Sequence, residues 1–185
     1  EVLTMKIVPR VFQLPNGELL TVRSLCADDA EALNAFRLET YRETHFMARY
    51  PEECTSLEAV QKGLAGSESS ALNFEVGAFA GTKLVGEFGV AQVRPHIKYR
   101  HRAVMGISVL KEAWGGGLGS FLMQLAVDQA KANGFEQLEL GVYSDNARAI
   151  HLYEKFGFER CGTTPHAFKL KDGTYRDEIM MVKML

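Results

Sequence analysis

Seven consecutive residues, Trp114-Gly-Gly-Gly-Leu-Gly-Ser120, carry the most legible chemistry in this 185-residue chain. An apolar strand-like run, Ala103–Leu110, precedes them and an apolar helix-like run, Leu118–Lys131, follows. A strand that turns through glycines into a helix offers unpaired N–H groups and the positive end of the helix dipole, a setting that suits an anion. Gly115, Gly116, Gly117 and Gly119 remove the Cβ atoms that would keep a phosphate at a distance and permit unusual backbone angles. The expected ligand is therefore a pyrophosphate-bearing cofactor, held without a lysine or a metal.

Other phosphate loops fit poorly. The P-loop requires Gly-Lys followed by Ser or Thr, which occurs nowhere in the chain, and this counts against a nucleotide-phosphate enzyme. The dinucleotide fingerprint opens a βαβ unit near the start of its domain, whereas these glycines have another spacing and lie past the middle of the sequence. A glycine cluster alone also serves as a plain tight turn, so the sequence downstream decides.

That sequence is Asn146-Ala-Arg-Ala-Ile-His-Leu-Tyr-Glu-Lys-Phe-Gly-Phe158. Together with Ile107–Leu110 and the turn, it resembles the Gcn5-related N-acetyltransferase superfamily. The family's turn reads Arg or Gln, two residues, Gly, one residue, then Gly or Ala; here Trp114, Gly117 and Gly119 occupy those places. Its later motif is matched at Asn146, Ala149, Tyr153, Gly157 and Phe158. The resemblance covers residues 70–185 well and the first 70 by layout only. Trp114 departs from the pattern; backbone donors do not depend on that side chain, but a direct contribution from it to the phosphates does.

The resemblance implies acetyl-CoA as co-substrate, no metal, and a primary amine as acceptor. It implies a splayed strand pair with pantetheine in the gap, its amides pairing with backbone at Ile107 and Val109. The pyrophosphate would sit on Gly115, Gly116, Gly117, Leu118, Gly119 and Ser120, with Asn146 and Ala149 also on the cofactor side. Ser120 would add a hydroxyl donor, although Ser is also simply a good helix-start residue. Tyr153 falls where the family protonates the departing thiolate; its alternative is core packing with Ala149, Ile150 and Phe156.

Amine attack on a thioester needs a neutral amine, and strand Ala103–Leu110 holds no carboxylate to make one. Glu87 on the neighbouring strand is the leading base, acting directly or through water, with Glu75, Asp177 and His166 behind it. The expected acceptor is a small α-amine such as a free amino acid. Bacterial amino-acid and small-amine acetylating members, and those that acetylate a ribosomal protein's α-amine, are the relatives that the resemblance suggests. The alternatives are protein N-terminal acetylation and a CoA-binding module without catalysis. Loops near 41–50 and 166–175 should shape the acceptor pocket.

Composition sets the frame. With 46% hydrophobic and 24% charged residues, the chain reads as one soluble domain over 1–185, its motif-rich core at about 70–185. A net charge of −2 argues against nucleic acid as a partner. The basic run Arg94–Arg102 reads as a solvated loop or as a rim for an anionic ligand. Cys26, Cys54 and Cys161 form no C-x-x-C pair, no run reaches the roughly 18 apolar residues of a membrane span, and His45, His96, His101, His151 and His166 lack metal-ligand spacing. A cytoplasmic enzyme is expected, with a homodimer as its candidate assembly.

The elements that must position these residues follow from periodicity and turn residues. Strands are expected at Lys6–Leu14 and Leu19–Ser24 around Pro15-Asn16-Gly17, and at Asn73–Ala80 and Lys83–Val93 around Gly81-Thr82. Helices are expected from Asp28 or Asp29 to Phe46, with Ala32, Leu33, Phe36 and Tyr41 on one face, and from Thr55 or Ser56 to Leu64, with a polar loop at Gly66–Ser70. Strand Ala103–Leu110, helix Leu118–Asn133 stopped by Gly134, strand Gln137–Tyr143 and a short helix from Asp145 or Asn146 to Phe156 come next. A strand pair, Phe158–Leu170 and Tyr175–Leu185, ends the chain. This is an α+β domain with one mixed, mostly antiparallel sheet of about seven strands, flanked by about four helices.

Overall fold

The computed structural model describes residues 7–185; the expected start of the first strand at Lys6 lies outside them. Eight strands form one sheet: β1 (Arg10–Gln13), β2 (Leu19–Ser24), β3 (Phe74–Ala80), β4 (Lys83–Gln92), β5 (Arg102–Val109), β6 (Gln137–Tyr143), β7 (Glu159–Lys169) and β8 (Tyr175–Met184). Their order is β1-β2-β3-β4-β5-β6-β8-β7, each falling on an expected strand, so the total is eight where about seven was expected. Four α-helices flank the sheet: α1 (Ala30–Glu43), α2 (Leu57–Ser69), α3 (Leu118–Ala132) and α4 (Ala147–Lys155).

Every neighbouring pair is antiparallel except β5–β6, and that exception makes the site. The parallel pairing covers only Arg102↔Gln137, Ala103↔Leu138 and Val104↔Glu139. Beyond Val104 the two strands part, while β5 stays paired with β4 to Val109 and β6 stays paired with β8 to Tyr143. The expected splay is thus present as a wedge.

Turns form where the residues dictate. Gly17, Gly81 and Gly134 have φ of 89°, 60° and 86°, at the two hairpin turns and just past α3. The structure corrects three helix boundaries. Asp29 does not cap α1 through its side chain: its carboxylate accepts from Cys26 N at 2.9 Å and from both Arg23 amines at 2.7 Å. The buried face of α1 is Ala30, Leu33, Phe36 and Thr40, not Tyr41, and the helix stops at Glu43. Ser56 caps α2 as expected, accepting from Ala59 N, but the helix runs on through Gly66 to Ser69. The stop lies at Ser70, whose hydroxyl accepts from Leu72 N and Asn73 N.

The core is continuous between sheet and helices, and includes Leu20, Leu33, Leu64, Phe88, Leu122, Met123 and Leu138, all essentially inaccessible. No helix among the described residues is long and apolar enough to cross a membrane.

Candidate active site

The wedge between β5 and β6 opens into a cavity of about 1130 Å³. Gly115, Gly117, Leu118, Gly119 and Ser120, along with Ile107, Val109, Asn146, Ala149, Tyr153 and Glu87, all line it. Gly116 alone among the expected cofactor-binding residues does not.

The four loop glycines do different work. Gly115 and Gly117 have φ of 80° and 85°, a region that L side chains resist, and Gly117 is the N-cap of α3. A Cβ on Gly116 would lie 2.6 Å from Pro15 Cδ, so this glycine lets the β1–β2 turn approach. A Cβ on Gly119 would meet only Leu152 Cδ2, at 3.6 Å. The fold itself therefore makes no demand for glycine at 119. The first α-helical bond runs from Phe121 N to Gly117 O, leaving the N–H groups of Leu118, Gly119 and Ser120 without an intrahelical acceptor. The Ser120 hydroxyl accepts from Lys155 Nζ at 3.3 Å, and the Leu118 side chain is buried in the core.

Strand register decides which β5 backbone groups face the gap. Val93 N donates to Arg102 O and Leu110 N donates to Val85 O, so even-numbered β5 residues turn their backbone toward β4. Odd-numbered Met105, Ile107 and Val109 turn theirs toward the wedge. One of these acceptors is taken: the Trp114 indole donates to Val109 O at 2.7 Å. The Arg148 guanidinium sits 4.3 Å from the centre of the Trp114 ring, at the cavity lip.

Tyr153 is 7% exposed, packs against Phe158, and lines the cavity. Burial pushes its hydroxyl up to about 12, so it holds its proton at every physiological pH. The hydroxyl has no hydrogen-bond partner among the described residues. Core packing and a place in the site coexist in this residue. Asn146 accepts from Ala149 N at 3.2 Å, which caps α4 and fixes the helix that carries Tyr153.

Glu87 is buried, at 8% exposure. Burial raises its pKa above the usual carboxylate value; Arg37 pulls it back down and Glu75 pushes it up. Arg37 Nε lies 3.4 Å from Glu87 Oε1, and another Arg37 nitrogen lies 3.6 Å from Glu75 Oε2. Ser67 donates to Glu75 at 2.8 Å. Sequence reasoning missed Arg37, although its place one turn beyond Leu33, on the buried stripe of α1, is a signal: a charge there requires carboxylate partners.

Alternate strand residues share a face. The registers Glu87↔Ser108, Val104↔Glu139 and Tyr143↔Glu178 put Glu75, Glu87, Gly141, Tyr143 and Glu178 on one face of the sheet, the one α1 covers through Arg37. The other face meets α3, since a Cβ on Gly86 would touch Leu118 and Leu122. Asp177 and His166, both expected as weaker bases, lie outside the cavity lining. The Asp177 carboxylate accepts from His166 N at 2.8 Å within a bulge of the β7–β8 ladder, where His166 has φ of 51°. On β8 the carboxylate that reaches the cavity is that of Glu178, one residue on and on the opposite face. The basic residues 94–101 form an exposed loop outside the cavity lining and supply no rim to it.

Phe46, Met47, Tyr143 and Phe168 line the side of the cavity toward the expected acceptor loops. Tyr143 stacks on Phe168 at 3.8 Å and 9°, and its hydroxyl donates to Met47 O at 3.2 Å. These contacts fix the 44–50 loop against the β7–β8 hairpin, as does Tyr50, which accepts from Lys171 N at 2.9 Å.

Known proteins place this geometry. Residues 31–158 match the family model described as "Acetyltransferase (GNAT) family". A mycothiol acetyltransferase of Jonesia denitrificans is 37% identical over 67 residues, covering 36% of this chain and 21% of that one. An L-methionine sulfoximine/L-methionine sulfone acetyltransferase of Pseudomonas paraeruginosa is 29% identical over 90 residues, covering 49% and 52%. The chain thus spans between about a fifth and about half the length of these curated relatives. The crystal structure of a GNAT-family acetyltransferase from Streptococcus pneumoniae superposes with a TM-score of 0.85 at 28% identity, covering 90% of this chain and 99% of that one. With the glycine turn, the splayed strands and the α4 motif all in register, the chain belongs to the GNAT family of acetyltransferases.

Proposed function

We propose that this enzyme transfers an acetyl group from acetyl-CoA to the α-amine of a small molecule, by direct attack with both substrates bound. The observation that carries this reading is the meeting of three parts in one cavity: the glycine turn, the gap-facing backbone of β5, and the Tyr153 hydroxyl. The residues present fit the co-substrate. The α3 N-terminus offers three free N–H donors for a pyrophosphate, over a glycine that packing leaves free. Ile107 offers an unpaired backbone edge to an amide-bearing arm. A backbone N–H of β5 polarises the thioester carbonyl.

The amine loses a proton to Glu87, directly or through water; burial has already made that carboxylate a stronger base than usual. The C–N bond forms, the C–S bond breaks, and Tyr153 gives its proton to the thiolate; the second proton that the nitrogen sheds on becoming an amide restores the Tyr153 hydroxyl, and Glu87 releases the first to water. A thiol with a pKa of about 8.5 departs fairly well unaided, so this last step accelerates turnover without being indispensable.

The α-amine preference follows from proton energetics. At pH 7 a lysine ε-amine of pKa ~10.4 costs roughly 4–5 kcal/mol to neutralise, an α-amine near ~8 only about 1. The related methionine sulfoximine acetyltransferase also points to a small amino compound. The test is competition among free amino acids, polyamines, lysine peptides and peptides with free N-termini at equal concentration. A higher kcat/KM for a free α-amine is expected. A tenfold preference for lysine side chains overturns the reading, and preference for one N-terminal peptide moves the enzyme to protein N-terminal acetylation.

A further inference from the structure

Two carboxylates flank the β5–β6 opening on the same face of the sheet, each one strand outward from it. They are held differently. Glu87, on β4, is buried and committed to Arg37. Glu178, on β8, lines the cavity half-buried, and no hydrogen bond or ion pair satisfies its carboxylate among the described residues.

The chain makes room for Glu178. A Cβ on Gly141 would lie 2.2 Å from Glu178 Oε1 and 2.9 Å from its Cδ. Glycine at 141, in the middle of β6, therefore leaves the space that the carboxylate occupies. The neighbouring Tyr143 stands opposite Glu178 in the β6–β8 ladder, and its hydroxyl is raised by burial first, with the Glu178 charge among the further causes. Tyr143 and Phe168 together present aromatic rings to the same cavity, a surface that tolerates a cation. Arg37 on this face is already shared between Glu75 and Glu87, so it does not neutralise Glu178.

We propose that Glu178 is the docking group for the acceptor: its carboxylate receives the ammonium of a cationic primary amine before that amine is deprotonated. The proposal rests on the amine-acetylation reading and names the residue that selects the acceptor's charge. It assigns no chemistry to Glu178 beyond binding, which separates it from Glu87 and Tyr153.

The probe is benzylamine, a cationic primary amine with a ring to lie against Tyr143 and Phe168. In Glu178→Gln, KM for benzylamine should rise roughly 10–10²-fold, the loss expected for a charge-assisted hydrogen bond. The kcat and the KM for acetyl-CoA should stay within a few fold. Acetylation of hydroxylamine, which is neutral at the assay pH, should be unaffected. Gly141→Ala tests the same carboxylate from the other strand. The added methyl meets only the flexible end of Glu178, so the fold survives and the carboxylate is displaced. It should raise the benzylamine KM similarly, and the double variant should add little. An unchanged benzylamine KM in Glu178→Gln overturns the proposal, as does an equal loss with hydroxylamine or a fall in kcat alone. Calorimetric binding of benzylamine reads the site without turnover. A protein that binds benzylamine through Glu178 yet acetylates no amine retains the docking site and refutes the acetyl-transfer reading.

Discussion

The indole N–H of Trp114 closes on the carbonyl of Val109 at 2.7 Å, joining the glycine turn to the last residue of the strand that borders the wedge. Where the family carries Arg or Gln, this chain carries a side chain that satisfies backbone and supports Arg148 from below. Trp114→Arg should keep acetyl-CoA affinity within a few fold. Trp114→Phe keeps the ring but loses the hydrogen bond, and should cost about 1 kcal/mol of stability. Affinity measured by calorimetry and stability by urea unfolding check both. A large affinity change in a stable Trp114→Arg protein means that the position contacts phosphate.

Gly119 separates ligand effects from folding effects. Since a Cβ there meets nothing closer than 3.6 Å, Gly119→Ala should fold with near-parent stability and bind acetyl-CoA more weakly, because the methyl is added to a residue that lines the cavity. Gly116→Ala should do the reverse: a Cβ 2.6 Å from the rigid ring of Pro15 destabilises the turn. The chain's single tryptophan, Trp114, stands beside this loop, so its fluorescence reports acetyl-CoA binding in both variants. Undiminished binding by Gly119→Ala would place the phosphates elsewhere.

Tyr153→Phe preserves the packing against Phe158 and should leave acetyl-CoA affinity intact while lowering turnover on the order of 10–10³-fold. A tyrosine in water would give an alkaline limb at pH ~10. Burial moves the hydroxyl to about 12, so Tyr153 keeps its proton throughout the usual assay range and contributes no alkaline limb below about pH 11. A parent pH–rate profile with an alkaline fall near 10 that vanishes in Tyr153→Phe contradicts this environment. Parent-like turnover reduces Tyr153 to a packing residue.

Much of the fold, and most of the elements that line the cavity, were legible in the sequence, and the limits have physical causes. The glycine turn and the α4 motif are local, since turn geometry and helix capping are written in adjacent residues. The parting of β5 and β6 agrees with the resemblance, but where it begins depends on register across strands far apart in sequence. The acceptor side is built from such distant strands. Asp177 and Glu178 are one residue apart in a two-residue period, so one carboxylate bonds to His166 N and the other lines the cavity, an alternation whose phase depends on strand pairing. Arg37 was missed because its partners, Glu75 and Glu87, are brought to it only by β3–β4 pairing. The extension of α2 through Gly66 shows packing of Val60 and Leu64 overriding weak helix formers.

Arg37 balances two carboxylates, and its removal should expose their cost. Burial lifts Glu87 above its unfolded pKa, so in the window between the two values the native state binds more protons than the unfolded chain. The stability tied to this group is complete below the unfolded pKa and is lost as pH rises through the folded one. In Arg37→Leu the guanidinium that opposes the shift is gone, and the Glu87 value moves further up. Where Glu87 is charged it would then be buried without its guanidinium, and the loss should reach about 3 kcal/mol, the low end for breaking a buried ion pair. As the pH falls and Glu87 takes up a proton, much of the loss should disappear. Glu87→Gln removes that pH slope in the Arg37→Leu background, and in the parent background it lowers turnover on the order of 10²-fold if the amine's proton goes to Glu87. Urea unfolding of the parent, both single variants and the double variant at pH 5 and pH 8 measures these effects. An Arg37→Leu protein equally destabilised at both values would show that Arg37 acts by packing and not by charge.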